Sequence, residues 1–209
     1  GKGFRSLLLS NQACAYPYLR IVTAFGSFRY TNLYTTFLDV QNSSLDRKKH
    51  ASIHHLDYRV HKMISIGFFE SVIWQSKNEN LNRGFDIEYL NPAVFFRPVE
   101  FSKHSPDNVL MGATLDINFN STNIYSQVAL DDLNISRHKN TETASTGGFF
   151  QNKFAYQVGV KTTFNSLNLL LEYNQAQPYT YAHKEPLQSY THMNQALAHP
   201  LGANFKEVA

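Results

Sequence analysis

The sequence predicts an all-β chain, an antiparallel up-and-down transmembrane β-barrel of about eight strands. Apolar and polar residues alternate with period two over long stretches, and short turns take turns with long polar connections. Strand lengths of roughly 9–12 residues match a tilted crossing of a hydrocarbon layer. Successive strand side chains point to opposite sides of the pleat, so this pattern gives each strand one apolar and one polar face.

In chain order, residues 18–25 and 28–38 are weakly alternating strands joined by Phe25-Gly26-Ser27-Phe28. Residues 52–60 lead through Val60-His61-Lys62-Met63 into residues 63–74. There Ile64, Ile66, Phe68, Val72 and Trp74 oppose Ser65, Gly67 and Ser71, while Phe69 and Glu70 break the pattern. Residues 108–119 set Val109, Met111, Ala113, Leu115, Ile117 and Phe119 against Asn108, Gly112, Thr114, Asp116 and Asn118. Residues 122–133 follow across Asn120-Ser121 as a weaker strand. Residues 153–162 are the cleanest, with Phe154, Tyr156, Val158 and Val160 opposite Lys153, Ala155, Gln157, Gly159 and Lys161. Beyond Asn165-Ser166, Leu167, Leu169, Leu171 and Tyr173 oppose Asn168, Glu172 and Asn174.

The short joints carry Gly, Asn and Ser, the residues that hairpin turns favour. The connections at 39–51, 75–107 and 134–152 are long and polar. A short helix is expected near Leu81 to Tyr89, limited by Asn91-Pro92 and Arg97-Pro98. Outer-membrane barrels have this two-sided construction, with short turns at one rim and long loops at the other. A soluble lipocalin-like barrel or sandwich is the competing architecture.

Tyrosine is abundant, at 12 residues beside 16 Phe and one Trp. It suits half-wet sites because its ring buries apolar area while its hydroxyl needs a polar partner. The formal net charge is +3 with the basic residues scattered, which points away from nucleic acid. Arg47-Lys48-Lys49 reads as a solvated turn, and the single cysteine, Cys14, forms no internal disulfide. The first residues are neither a start methionine nor a signal peptide, and no closing strand is evident at the end, so a portion of a longer protein is expected.

No catalytic residue, metal ligand set or cofactor motif emerges. His54 and His55 are adjacent on a strand and must point to opposite faces, while His50, His61 and His104 lack companions at ligand spacing. His183, His192 and His199 lie with Glu185 and Tyr190 in a proline-punctuated segment that would either pack across a barrel end or form a metal or acid–base cluster. A hydrolase would need a Ser–His pair such as Ser52 or Ser71 with His54, without a nucleophile-elbow motif to support it. Asp57, Arg59, Asp116, Lys153, Lys161 and Glu172 fall on the less apolar faces and are candidate lumen-facing groups, since lipid-facing charge is costly. Tyr179, Tyr181, Tyr190, His192 and His199, beside Asn174, Gln175 and Gln177, are candidate glycan contacts, because aromatic rings stack on sugar faces while polar groups bind hydroxyls.

Longer words of the sequence carry a resemblance. GKGFRSLLLS with AYPYLRIVTAF, SIHHLDYRV followed by ISIGFFESVIW, IEYLNPAVFFRPVE, SPDNVLMGATLDINF, IYSQVALDD, NKFAYQVGVK, LLLEYNQAQPYTYAH and SYTHMNQALAHPLGANFKE run in order along the chain. Together they resemble the capsule-assembly family of Gram-negative outer-membrane β-barrels, nearest its gliding-motility members. The resemblance implies a non-enzymatic protein of the cell outer membrane, with this chain one portion of a larger barrel lacking its first and last strands. It implies outer-membrane lipid as surroundings and capsular or exopolysaccharide, or other cell-surface or motility proteins, as partners. A Ser–His hydrolase of the outer membrane and a soluble β-barrel carrying an apolar ligand are the alternatives.

Overall fold

A computed structural model describes residues 3–40, 48–78, 81–82, 84–91, 107–132 and 153–209. Nine strands form one antiparallel sheet in sequence order: β1 (Tyr18–Phe25), β2 (Phe28–Leu38), β3 (Lys48–His61), β4 (Ile64–Gln75), β5 (Asn108–Phe119), β6 (Thr122–Asp132), β7 (Lys153–Phe164), β8 (Leu167–Ala176) and β9 (Phe205–Val208). The up-and-down arrangement follows the alternation. Among the described residues β1 and β9 are the two edges of the sheet, and no pairing joins them into a closed barrel.

Two departures from the sequence reading concern the ends of elements. Phe205–Val208 is a ninth strand, pairing Ala176 with Phe205 and Asn174 with Glu207, where no closing strand was expected. Four residues are too few for periodicity to register. Leu81–Asn82 belongs to a hairpin of two-residue strands with Lys77–Asn78, so among the described residues of this connection helical backbone is confined to the 3-10 turn Ile87–Leu90. The connection at 134–152, Arg97-Pro98 and His104 lie outside the described residues.

Tight turns recur at one end because the sequence supplies residues for them. The β1–β2, β5–β6 and β7–β8 hairpins close on the pairs Phe25–Phe28, Phe119–Thr122 and Phe164–Leu167. The first turn residue in each, Gly26, Asn120 or Asn165, has positive φ, which Gly and Asn tolerate best. All the longer connections leave from the opposite end.

Register then divides the side chains. One face is largely bare of protein: Leu19, Ile21, Phe25, Phe28, Phe68, Phe119, Val158, Leu169, Leu171 and Val208 all stand exposed on it. The other face is covered by residues 3–17 and 177–204. Ala129, Ala155 and Ala176 are cross-strand neighbours there, and their small side chains let Leu7, Tyr181, Tyr190 and Leu197 pack onto the sheet in one buried cluster.

Glu172 ties the N-terminal segment down. Its carboxylate accepts from the Phe4 and Arg5 backbone amides, the Tyr125 hydroxyl and Asn174 Nδ2. Gln157 Nε2 donates to the Arg5 carbonyl and to Asn174 Oδ1, and Gln127 Oε1 accepts from the Leu7 amide. Gly159 sits directly across from Tyr125, and a Cβ there would lie 2.3 Å from the Tyr125 ring. The absence of a side chain therefore lets the ring lie over β7 and deliver its hydroxyl to Glu172.

Removing that acceptor strands several buried donors. Glu172→Ala is expected to cost about 1–3 kcal/mol and to bring the Phe4 and Arg5 amides to near-random-coil hydrogen exchange. Unchanged protection at Phe4 and Arg5 would refute the anchoring role.

Candidate functional site

A cleft of about 410 Å³ opens between the N-terminal segment and the covered face of β1–β5. Alternation places Arg20 on β1, Arg29 and Thr31 on β2, His55 and Asp57 on β3 and Thr114 on β5 toward the same side, and all six line the cleft. Tyr16 and Tyr18 border it, their rings edge-to-face at 6.2 Å.

Asp57 organises its floor. Its Oδ2 is 3.4 Å from Arg29 Nη2 and 3.3 Å from His55 Nδ1. Gly67 pairs with both Asp57 and Thr114, and a Cβ on it would fall 2.3 Å from Thr114 Oγ1, 2.9 Å from His55 Nε2 and 3.4 Å from Asp57 Oδ1. Three polar groups from two strands converge over a position that only glycine leaves open. The Thr114 hydroxyl is buried there without a hydrogen-bond partner. Such a set can bind an anion through the guanidinium groups and hydroxyls through Asp57 and Thr114.

The six charged candidates all occupy covered-face positions but do not gather into one site. Asp57 lies in the cleft, and Glu172 anchors the N-terminal segment. Lys161 Nζ stands 5.1 Å over the Tyr125 ring, and Lys153 Nζ donates to the Ala182 carbonyl. Arg59 and Asp116 flank Ser65, which pairs with both. Sequence reasoning missed Arg20, Arg29, His55 and Thr114. The available signal was Gly67, a strand glycine opposite Asp57, since glycine inside a strand marks close approach.

The aromatic and histidine candidates also separate. Tyr179 is 75% exposed, whereas Tyr181, Tyr190, His192 and His199 are buried. His192 accepts from the Leu38 amide at Nδ1 and donates from Nε2 to the Ala15 carbonyl, joining β2 to the N-terminal segment. His199 donates from Nε2 to Glu207, accepts the Leu201 amide at Nδ1 and stacks on Phe205 at 4.2 Å. Tyr181 donates to the Leu7 carbonyl, and burial pushes its hydroxyl pKa well up. These four brace the segment, which crosses the sheet at the end of the long connections. There Lys49 Nζ donates to the Ser189 carbonyl and to Thr191 Oγ1. The reading of Arg47-Lys48-Lys49 as a solvated turn is therefore corrected: Lys49 lies on β3 and is fully buried, held by acceptors from the crossing segment.

The proposed Ser–His pairing is not assembled. Ser52 and His54 share the opposite side of β3, where Ser52 Oγ donates to the Tyr89 carbonyl beneath the 3-10 turn. Ser71 pairs with Ile53 and so faces the covered side.

Gly67→Ala is expected to cost about 1–3 kcal/mol by overpacking, read as a lower denaturation midpoint, with part recovered when Thr114→Ala is added. A midpoint unchanged by Gly67→Ala would show that the floor has slack. Burial holds the His199 pKa below its ordinary value of 6.5 against the opposing pull of Glu207. The depressed folded value means stability is present above about pH 6.5 and is lost as pH falls through it. His199→Gln should flatten that acid limb in a pH series of thermal melts. Compared with protein-family models, curated proteins and solved structures, the chain matches none, so the site stands on its geometry.

Proposed function

We propose that this chain forms part of the wall of an outer-membrane β-barrel of the capsule-assembly and gliding-motility kind, acting by binding rather than catalysis. Capsular or exopolysaccharide is the proposed partner class, with other surface or motility proteins also meeting the barrel. The observation that carries this reading is the bare apolar face running across all nine strands. Water-soluble monomers rarely expose contiguous apolar patches beyond a few hundred Å², and lipid is the solvent such a face suits.

The arrangement of aromatics supports the same reading. At the short-turn rim Phe25, Phe119 and Phe164 are exposed, and Phe28 stacks on Tyr58 at 4.5 Å. Toward the other rim Tyr156 and Tyr173 lie 5.8 Å apart on the same face. The eight residue steps from Tyr156 to Phe164 span roughly 26 Å along the strand, about 20 Å of height at the usual tilt, which fits inside the apolar band of such barrels. A soluble carrier would turn these apolar faces inward around its ligand. Here the covered side joins a hydrogen-bonded polar set to an apolar cluster filled by the chain's own Leu7, Tyr181 and Leu197, while the larger apolar face stays bare, which favours the membrane reading.

The test is fractionation of the full-length protein from its native cells, followed by gel migration with and without boiling. Outer-membrane recovery and a boiling-dependent shift are expected; a soluble protein that migrates identically either way would sink the proposal. Leu171→Arg, at mid-height on the bare face, should cost about 2–4 kcal/mol of folding in bilayers, whereas Gln12→Arg on the exposed N-terminal segment should be neutral. Equal tolerance at both positions would place Leu171 outside lipid.

A further inference from the structure

The geometry points to the cleft floored by Asp57 as a binding site for an acidic saccharide unit. Its carboxylate is held by Arg20 and Arg29, and its hydroxyls by Asp57 and Thr114. This rests on the polysaccharide reading above and names the class of sugar.

Charge selects the anion. Arg20 has no ion pair among the described residues, and Arg29 shares Asp57 with His55 across 3.4 Å. Two guanidinium groups therefore face the single carboxylate among the cleft's lining residues, leaving positive charge for a ligand. A guanidinium presents paired N–H donors matched to a carboxylate. Thr114 points to hydroxyl-bearing ligands, because its Oγ1 lies buried without a partner in the same cleft. A bound sugar hydroxyl supplies the missing partner. The Tyr16 and Tyr18 rings add flat apolar surface for a pyranose face. The volume of about 410 Å³ suits one or two sugar residues.

The test uses the full chain folded in detergent micelles, titrated calorimetrically with tetragalacturonate, with its carboxyl-reduced counterpart and with inorganic phosphate. Tetragalacturonate should bind at least about tenfold more tightly than the reduced form, and Arg20→Gln, Arg29→Gln and Thr114→Val should each weaken it by about three- to tenfold. Trp74 is buried on the other side of the sheet, and its emission reports whether a variant is folded. If Arg29→Gln disturbs the fold, Arg20→Gln and the isosteric Thr114→Val carry the result. Equal affinity for both oligosaccharides overturns the acidic assignment while leaving glycan attachment standing. Phosphate binding as tightly as tetragalacturonate reduces the cleft to an anion site and overturns the sugar assignment. Binding of no probe by a heat-modifiable protein removes the cleft while the barrel survives; tight acidic-sugar binding by a protein without the boiling shift keeps the cleft and fails the barrel.

Discussion

A side chain on a β-strand has two directions open to it, and in this sheet one continuous register decides the direction for nine strands at once. Every later feature inherits that division. A slip of one residue on any strand would exchange its apolar and polar sets, setting Glu172 or Asp57 among the exposed leucines and burying Leu171 in the polar lining. The two irregularities in register, between Arg59 and His61 and between Leu130 and Asp132, fall at strand ends. The long middle sections run in strict phase.

A polar face under protein cover must satisfy its own hydrogen bonds, because a buried unpaired donor or acceptor is destabilising. The chain meets this demand with its flanking segments. Glu172, Gln127 and Gln157 receive and supply bonds for residues 4–7, with Asn174 bonded to Glu172 and Gln157; His192 and Lys49 fasten the crossing segment at the long-connection end, and His199 ties it to Glu207, which also pairs with Arg5. Apolar packing on the alanine positions joins the two systems. The cleft lies where this cover thins toward the β1 edge; there Asp57 meets Arg29 and His55, and Arg20 has no ion pair among the described residues.

The open face is not bare along its whole length. Across the long-connection half of β2–β4, Val72 and Trp74 pack under Tyr89, the Tyr34 hydroxyl donates to the Leu90 carbonyl and Trp74 Nε1 donates to the Gly84 carbonyl. Glu70, out of phase in the sequence, belongs to this half and is buried there. The broken alternation of β4 thus marks where the chain folds back over its own sheet, limiting the bare band on these strands to the short-turn half.

Period-two alternation made β5, β7 and β8 legible from residues 108–119, 153–162 and 166–174, and the Gly and Asn turns placed their hairpins. Those features are local, governed by φ preference and by which neighbours share a face. Lys49 could not be read as buried, nor His192 and His199 as braces, because their partners Ser189, Ala15 and Glu207 lie on other segments. The same holds for the cleft: Asp57 was visible as a polar-face residue, but Arg20, Arg29, His55 and Thr114 come from four strands. Residue order alone settles which side chains share a face of each strand, since pleat geometry needs nothing more. Which polar residues meet is set in three dimensions, because the inter-strand register and the path of the two covering segments depend on long-range packing.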